Sequence, residues 1–155
     1  MDYNKFIEDY LFKGLIKKQP IGFDQINSFI MQSKQELKDC KNILDISAKV
    51  AYSSAYTAML YAARALMLLS GYRPVGVNQH KTVIEFVGVC AGHEYKDLIK
   101  KFDLMRKKRN LLMYEPWEAN VSPADSRNAI NTAAEFIEFI ITKIKQDTPQ
   151  EEFKF

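Results

Sequence analysis

Little in this sequence staples, punctuates or coordinates. Cysteine occurs twice in 155 residues, as Cys40 and Cys90, and neither falls in a CxxC or Cys/His spacing. That excludes a disulfide framework and a zinc site, and two plain thiols fit a reducing compartment, so the chain is expected in the cytoplasm. Histidine is as scarce. His80 and His93 have no metal-ligand spacing to each other or to a cysteine, so no metal and no cofactor is implied. Six glycines and five prolines leave room for long uninterrupted helices. The opening Met-Asp-Tyr-Asn-Lys has neither the basic start nor the apolar run of a signal peptide. The longest apolar stretch, Ala51 to Leu69, is interrupted by Arg64, two serines and three tyrosines. An arginine in mid-span costs about 2.5–3.5 kcal/mol on insertion scales, so this is a buried helix and no membrane partner is expected. Charge of one sign is lacking too: 22 basic against 19 acidic residues give +3, too mild to argue for nucleic acid by itself.

What is present is helical period. Phe6, Ile7, Tyr10, Leu11 and Leu15 predict a first helix over Tyr3 to Lys18, ended by Pro20 and Gly22. Ile26, Phe29, Ile30, Leu37, Cys40 and Leu44 form the dry stripe of a second, from Asp24 to about Asp45. In the third, Ser47 to Ser70, the positions Ala51, Ala55, Ala58, Ala62 and Ala65 make a narrow seam of small residues. Tyr52, Tyr56, Met59, Leu66 and Leu69 fill its other faces, so it should be the core element. A short helix follows from about Gln79 to Cys90, and a fifth from about Glu94 to Met113. Ser122-Pro123-Ala124-Asp125 is close to a capping box for a sixth, running to about Lys145. No segment alternates with period two and nothing repeats. The reading is all-α, an up-down bundle of four to six helices in one domain over 1–155. Residues 1–22 would be an N-terminal helical extension, 23–145 the bundle core and 146–155 a polar, frayed tail.

Two arginines sit where leucines would be ordinary. Leu98, Phe102, Met105, Arg109 and Leu112 fall in one line along the fifth helix, so Arg109 shares the apolar seam. A charge in that position needs an acceptor, in a cleft, in a structural ion pair or at a subunit interface. Arg64 in the third helix poses the same question, and an ion pair with Asp103 or Glu85 is the expected answer. Around Arg109 crowd Lys100, Lys101, Arg106, Lys107 and Lys108, with Tyr95, Phe102, Tyr114 and Trp117 nearby. Basic side chains with adjacent rings hold single-stranded RNA by charge and stacking. They also make an ordinary solvated face, with Phe102 in the core.

The third helix, from Ala51-Tyr52-Ser53-Ser54-Ala55-Tyr56 to Arg64-Ala65-Leu66, resembles the core helix of the HEPN family (higher eukaryotes and prokaryotes nucleotide-binding domain). His80-Lys81-Thr82-Val83-Ile84 is similar to that family's histidine-initiated helix. Arg106-Lys107-Lys108-Arg109-Asn110, followed by Tyr114, resembles its signature near the end of the next helix. The resemblance covers about Phe23 to Lys145. It implies a helical bundle pairing as a homodimer. Active members are metal-independent endoribonucleases carrying Arg, a polar residue, three further residues and His, with the two motifs facing across the dimer. Many are partnered with a small nucleotidyltransferase as toxin–antitoxin pairs, and others serve in anti-phage defence. Carried over, the arginine is Arg109 and the polar residue Asn110, but the histidine position holds Tyr114.

That departure matters chemically. Histidine moves a proton near neutral pH, whereas a tyrosine, ordinarily near 10, needs a large downward shift to act as a base. Losing acid–base help costs about 10²–10⁴-fold in rate. The expected function is therefore a non-catalytic or weakly catalytic module that binds a nucleotide, an RNA or a partner protein. Arg109, Asn110 and Tyr114 would be its centre, with Arg106, Lys108, His80 and Trp117 as ligand contacts. Two alternatives stand beside it: an endoribonuclease toxin using Arg109 and Tyr114, and a structural oligomerisation module without a ligand.

Overall fold

In the computed structural model, which covers residues 1–155, six α-helices and one short antiparallel ribbon are arranged around the third helix. The helices are α1 (Tyr3–Phe12), α2 (Phe23–Ile43), α3 (Ala48–Leu69), α4 (Gln79–Ala91), α5 (Lys96–Tyr114) and α6 (Pro123–Asp147). The ribbon pairs β1 (Ile16–Lys18) with β2 (Tyr72–Pro74), and 3₁₀ turns cover His93–Tyr95 and Pro116–Glu118. No helix is long and apolar enough to cross a membrane.

α3 is central because almost no face of it is wettable: 13 of its 22 residues are buried. Ala51, Ala55, Ala58, Ala62 and Ala65 are wholly inaccessible. Such small side chains let α2 and α6, its main neighbours, approach until hydroxyls reach its backbone. Ser33 of α2 donates to the Ala58 carbonyl at 2.6 Å, and Ser126 of α6 donates to that of Ala48. Both serines are buried, and an unpaired buried hydroxyl would cost about 1–3 kcal/mol. On the α5 side Tyr56 meets Phe102 at 5.7 Å between ring centroids, and Phe102 meets Phe136 of α6 at 4.8 Å. Each such pair adds about 0.5–1.5 kcal/mol beyond its burial.

The helix ends follow the local chemistry. The Val50 N–H donates to Ser47 Oγ at 3.2 Å, capping α3. At α6, Ser122 and Asp125 exchange reciprocal bonds of 3.0 Å, the full capping box. Beyond α3 and α4 the chain turns at Gly71 and Gly92, both at φ 85°, a conformation that a Cβ disfavours.

Three expectations are corrected. The first helix stops at Phe12, because Gly14 turns the chain at φ 65° and Ile16–Lys18 then runs extended. It pairs with β2 in the register Ile16↔Pro74, Lys17↔Arg73, Lys18↔Tyr72, so the chain does contain strands. Three residues are too few to display a period of two. The tail, expected to fray, folds back on α2. Phe153 lies 6.1 Å from Phe23 and stacks on Phe155 at 5.0 Å, and the Lys154 N–H donates to Asn27 Oδ1 at 2.9 Å. Two phenylalanines in that polar run supply the apolar area that docks it. Arg64, finally, pairs with neither proposed acid. Asp103 is engaged by Arg106 and Lys107. Glu85 accepts from the Tyr10 hydroxyl at 2.6 Å and faces Lys81 at 3.7 Å. The Arg64 guanidinium instead lies over the Phe29 ring, 5.4 Å from its centroid.

Residues 1–22 pack onto this frame, burying Phe6, Ile7 and Ile16. Phe6 meets Phe86 of α4 edge-on at 6.1 Å.

Candidate functional site

The chemistry gathers where α3, α4 and α5 meet. α5 carries Leu98, Phe102, Met105 and Leu112 into the core on one line, and helical repeat puts Arg109 on that line. Arg109 emerges half-buried beside α3, its guanidinium carbon 5.9 Å from the centroid of the Tyr56 ring. That spacing allows a cation–π contact. None of the six ion pairs in the chain includes it. The start of α4 brings His80 to the same ring, with Nδ1 3.0 Å from the Tyr56 hydroxyl oxygen. One turn back on α5, Arg106 Nε donates to Asp103 Oδ1 at 2.8 Å, and Lys107 Nζ stands 3.0 Å from Oδ2.

Burial sets the protonation of this group. It pushes the Tyr56 hydroxyl well above its ordinary value of 10, although Arg109 and Arg106 pull the other way. The phenol is therefore neutral. Burial also lowers His80 below 6.5, and the charges of Arg109, Arg64 and Arg106 lower it further. At neutral pH the imidazole is uncharged, and its tautomer decides which of the two groups donates across the 3.0 Å bond. For Asp103 burial alone would raise the value, but hydrogen bonds from Lys107 and Arg106 outweigh it and hold the carboxyl below its ordinary 3.8. Asp103 thus stays ionised and orients Arg106. The arrangement offers a guanidinium with no carboxylate, a neutral imidazole able to take or give a proton, and a phenol.

The other candidates lie elsewhere. Asn110 and Tyr114 line an open groove with Lys107, Leu111 and Glu115. Tyr114 follows Arg109 by five positions, about 140° round the helix, so α5 directs the two to different faces. Lys108 turns to the start of α6, 3.3 Å from Asp125 Oδ2 and 5.4 Å from the Tyr52 ring centroid. Trp117 stands on the 3₁₀ turn with 77% of its surface exposed, and Tyr114 is 71% exposed. Of the seven candidates, His80, Arg106 and Arg109 come together. Tyr56 and Asp103 were not among them. A phenol on a helix wrapped on every side needs a polar partner, and Asp103 lies three and four residues before Arg106 and Lys107. Those were the available signals.

A family model described as HEPN domain matches residues 27–145. The match takes in α3, α4 and α5 and well over half of the chain, and the chain belongs to the HEPN domain family. No curated protein matches it.

Proposed function

We propose that this HEPN-family chain is an RNA-binding module with little or no catalytic activity, and that the Arg109 corner is its binding site. The observation that carries the reading is the half-buried Arg109 with a ring beneath it and no carboxylate beside it. An RNA phosphate supplies the acceptor that this guanidinium lacks. The exposed rings of Tyr114 and Trp117, just beyond it in sequence, give bases a surface to stack on. Weak catalysis follows from a tyrosine, Tyr114, occupying the motif's proton-carrier position in place of histidine. In keeping with its family, the chain acts as a homodimer in a toxin–antitoxin or defence pair, with a small nucleotidyltransferase as partner protein.

One observation favours the endoribonuclease reading: His80, neutral at physiological pH, shares Tyr56 with Arg109 and is a proton carrier available without Tyr114.

Fluorescence anisotropy with a short single-stranded RNA tests the binding site. Arg109→Ala is expected to weaken binding at least about tenfold, the worth of one charge-assisted hydrogen bond, with an unchanged melting temperature. Undiminished binding removes Arg109 from the site. Stability lost with no RNA bound by either protein supports the oligomerisation module instead.

A further inference from the structure

A second cavity, of about 590 Å³, lies between α2, α3 and β2, away from the α5 residues that form the Arg109 corner. Its size falls in the range of small-ligand sites. Phe29, Tyr61 and Tyr72 supply rings, Arg64 and Arg73 supply charge, and glutamine side chains supply amides. No aspartate or glutamate lines it.

Two independent features leave positive charge there without a counter-ion. Arg64 is half-buried over Phe29 and belongs to none of the chain's ion pairs, although taking a charge out of water unpaired is costly. Burial and the neighbouring Arg73 both work against its protonated form. Separately, the ribbon sets Lys17 directly opposite Arg73, with Lys18 next along. Like charges facing each other across strands destabilise the pairing, and neither Lys17 nor Arg73 has an acid partner. Of this facing pair only Arg73 lines the cavity, and an anion there would give both Arg64 and Arg73 the counter-charge that they lack.

We infer that this cavity is a second ligand site, distinct from the Arg109 corner, for a phosphomonoester that carries a flat ring and is about the size of a nucleoside monophosphate. Two guanidiniums suit a group bearing about −1.5 to −2 charges better than a single carboxylate would. The rings provide a stacking face, and the amides can donate to and accept from the edge of a heterocycle. Two sources share this chemistry, a free nucleotide and the 5′-phosphorylated end of an RNA chain.

Titration calorimetry on the intact chain tests the site with four probes: AMP, adenosine, inorganic phosphate and a short 5′-phosphorylated RNA. AMP is expected to bind better than adenosine or phosphate, and Arg64→Gln and Arg73→Gln should each weaken it about tenfold or more. Phe29→Leu should weaken AMP and leave inorganic phosphate unchanged. A preference for the RNA that needs its 5′-phosphate and falls in the same two variants also supports the site and identifies a chain end as its source. The inference is overturned if neither AMP nor the phosphorylated RNA binds, if inorganic phosphate binds as well as AMP, or if only Arg109→Gln abolishes binding. Arg73 lies on the exposed face of the ribbon, so Arg73→Gln decides the matter even if Arg64→Gln fails to fold.

Discussion

Arg64 and Arg109 pose one problem in two places. Each is a guanidinium within a mostly apolar helix face, each lies over an aromatic ring at 5.4 Å and 5.9 Å respectively, and neither has a carboxylate. Their surroundings differ. Tyr56 beneath Arg109 is fully buried and hydrogen-bonded to His80, and the adjacent Arg106 is fixed by Asp103. Phe29 beneath Arg64 is only half-buried and has no polar atom to offer. The Arg109 corner is thus tied into the core and holds groups that exchange protons, whereas the Arg64 cavity holds charge, rings and amides with nothing that titrates near neutrality. On the proposals made above, the first would contact RNA and the second would only bind a ligand.

The largest effect that sharpens this contrast is on stability. Tyr56→Ala empties a fully buried position and is expected to cost about 3–5 kcal/mol, while Phe29→Ala at the half-buried position costs about 1–2 kcal/mol. Urea denaturation of the two variants measures both, and equal losses break the contrast.

A smaller effect is confined to the Arg109 corner. His80 binds protons less readily folded than unfolded, where its ordinary value is 6.5. The unfolded chain therefore carries more protons just below that value, so the contribution of His80 to stability is present above pH 6.5 and declines as pH falls through and below it. Melting temperatures from pH 7.5 down to 5.5 should drop more steeply for the wild type than for His80→Gln. Parallel curves would remove His80 from the account. Anion binding at Arg64, one of the charges that lower His80, should bring its folded value closer to 6.5 and so make that decline shallower.

The smallest expected effect concerns the Asp103 pairs. Lys107→Ala removes an exposed partner, with 61% of its side chain accessible, and should cost less than about 0.5 kcal/mol. Arg106, only 15% accessible, should cost more. The reverse order, read by the same denaturation series, would mean that Arg106 is not the residue Asp103 orients.

The parts of the fold legible in sequence were those set by local chemistry. The alanine seam, the Ser122–Asp125 capping box and the glycine stops after α3 and α4 each depend on residues a few positions apart. The ribbon, the docked tail and the neighbours of Arg64 depend on partners distant in the chain, which periodicity does not reveal. The site divides the same way. Arg109 was visible as a charge in an apolar line, and Tyr114 as a substitution in a motif. That Tyr114 would turn to another face followed from the five-residue spacing once α5 was a helix. That Arg109 would meet Tyr56 and His80 depends instead on how α5 crosses α3 and α4. A carboxylate for Arg64 was the ordinary expectation from charge, but the tertiary packing supplied a ring.

The central claim is that the Arg109 corner holds RNA without cutting it efficiently. One incubation tests it directly: folded wild-type chain and Arg109→Ala, each with labelled single-stranded RNA and EDTA, followed by anisotropy and then by a denaturing gel. The account predicts intact RNA in both lanes, with binding by the variant weaker by at least about tenfold. EDTA-resistant cleavage by the wild type that disappears in Arg109→Ala would contradict it and make this chain an endoribonuclease.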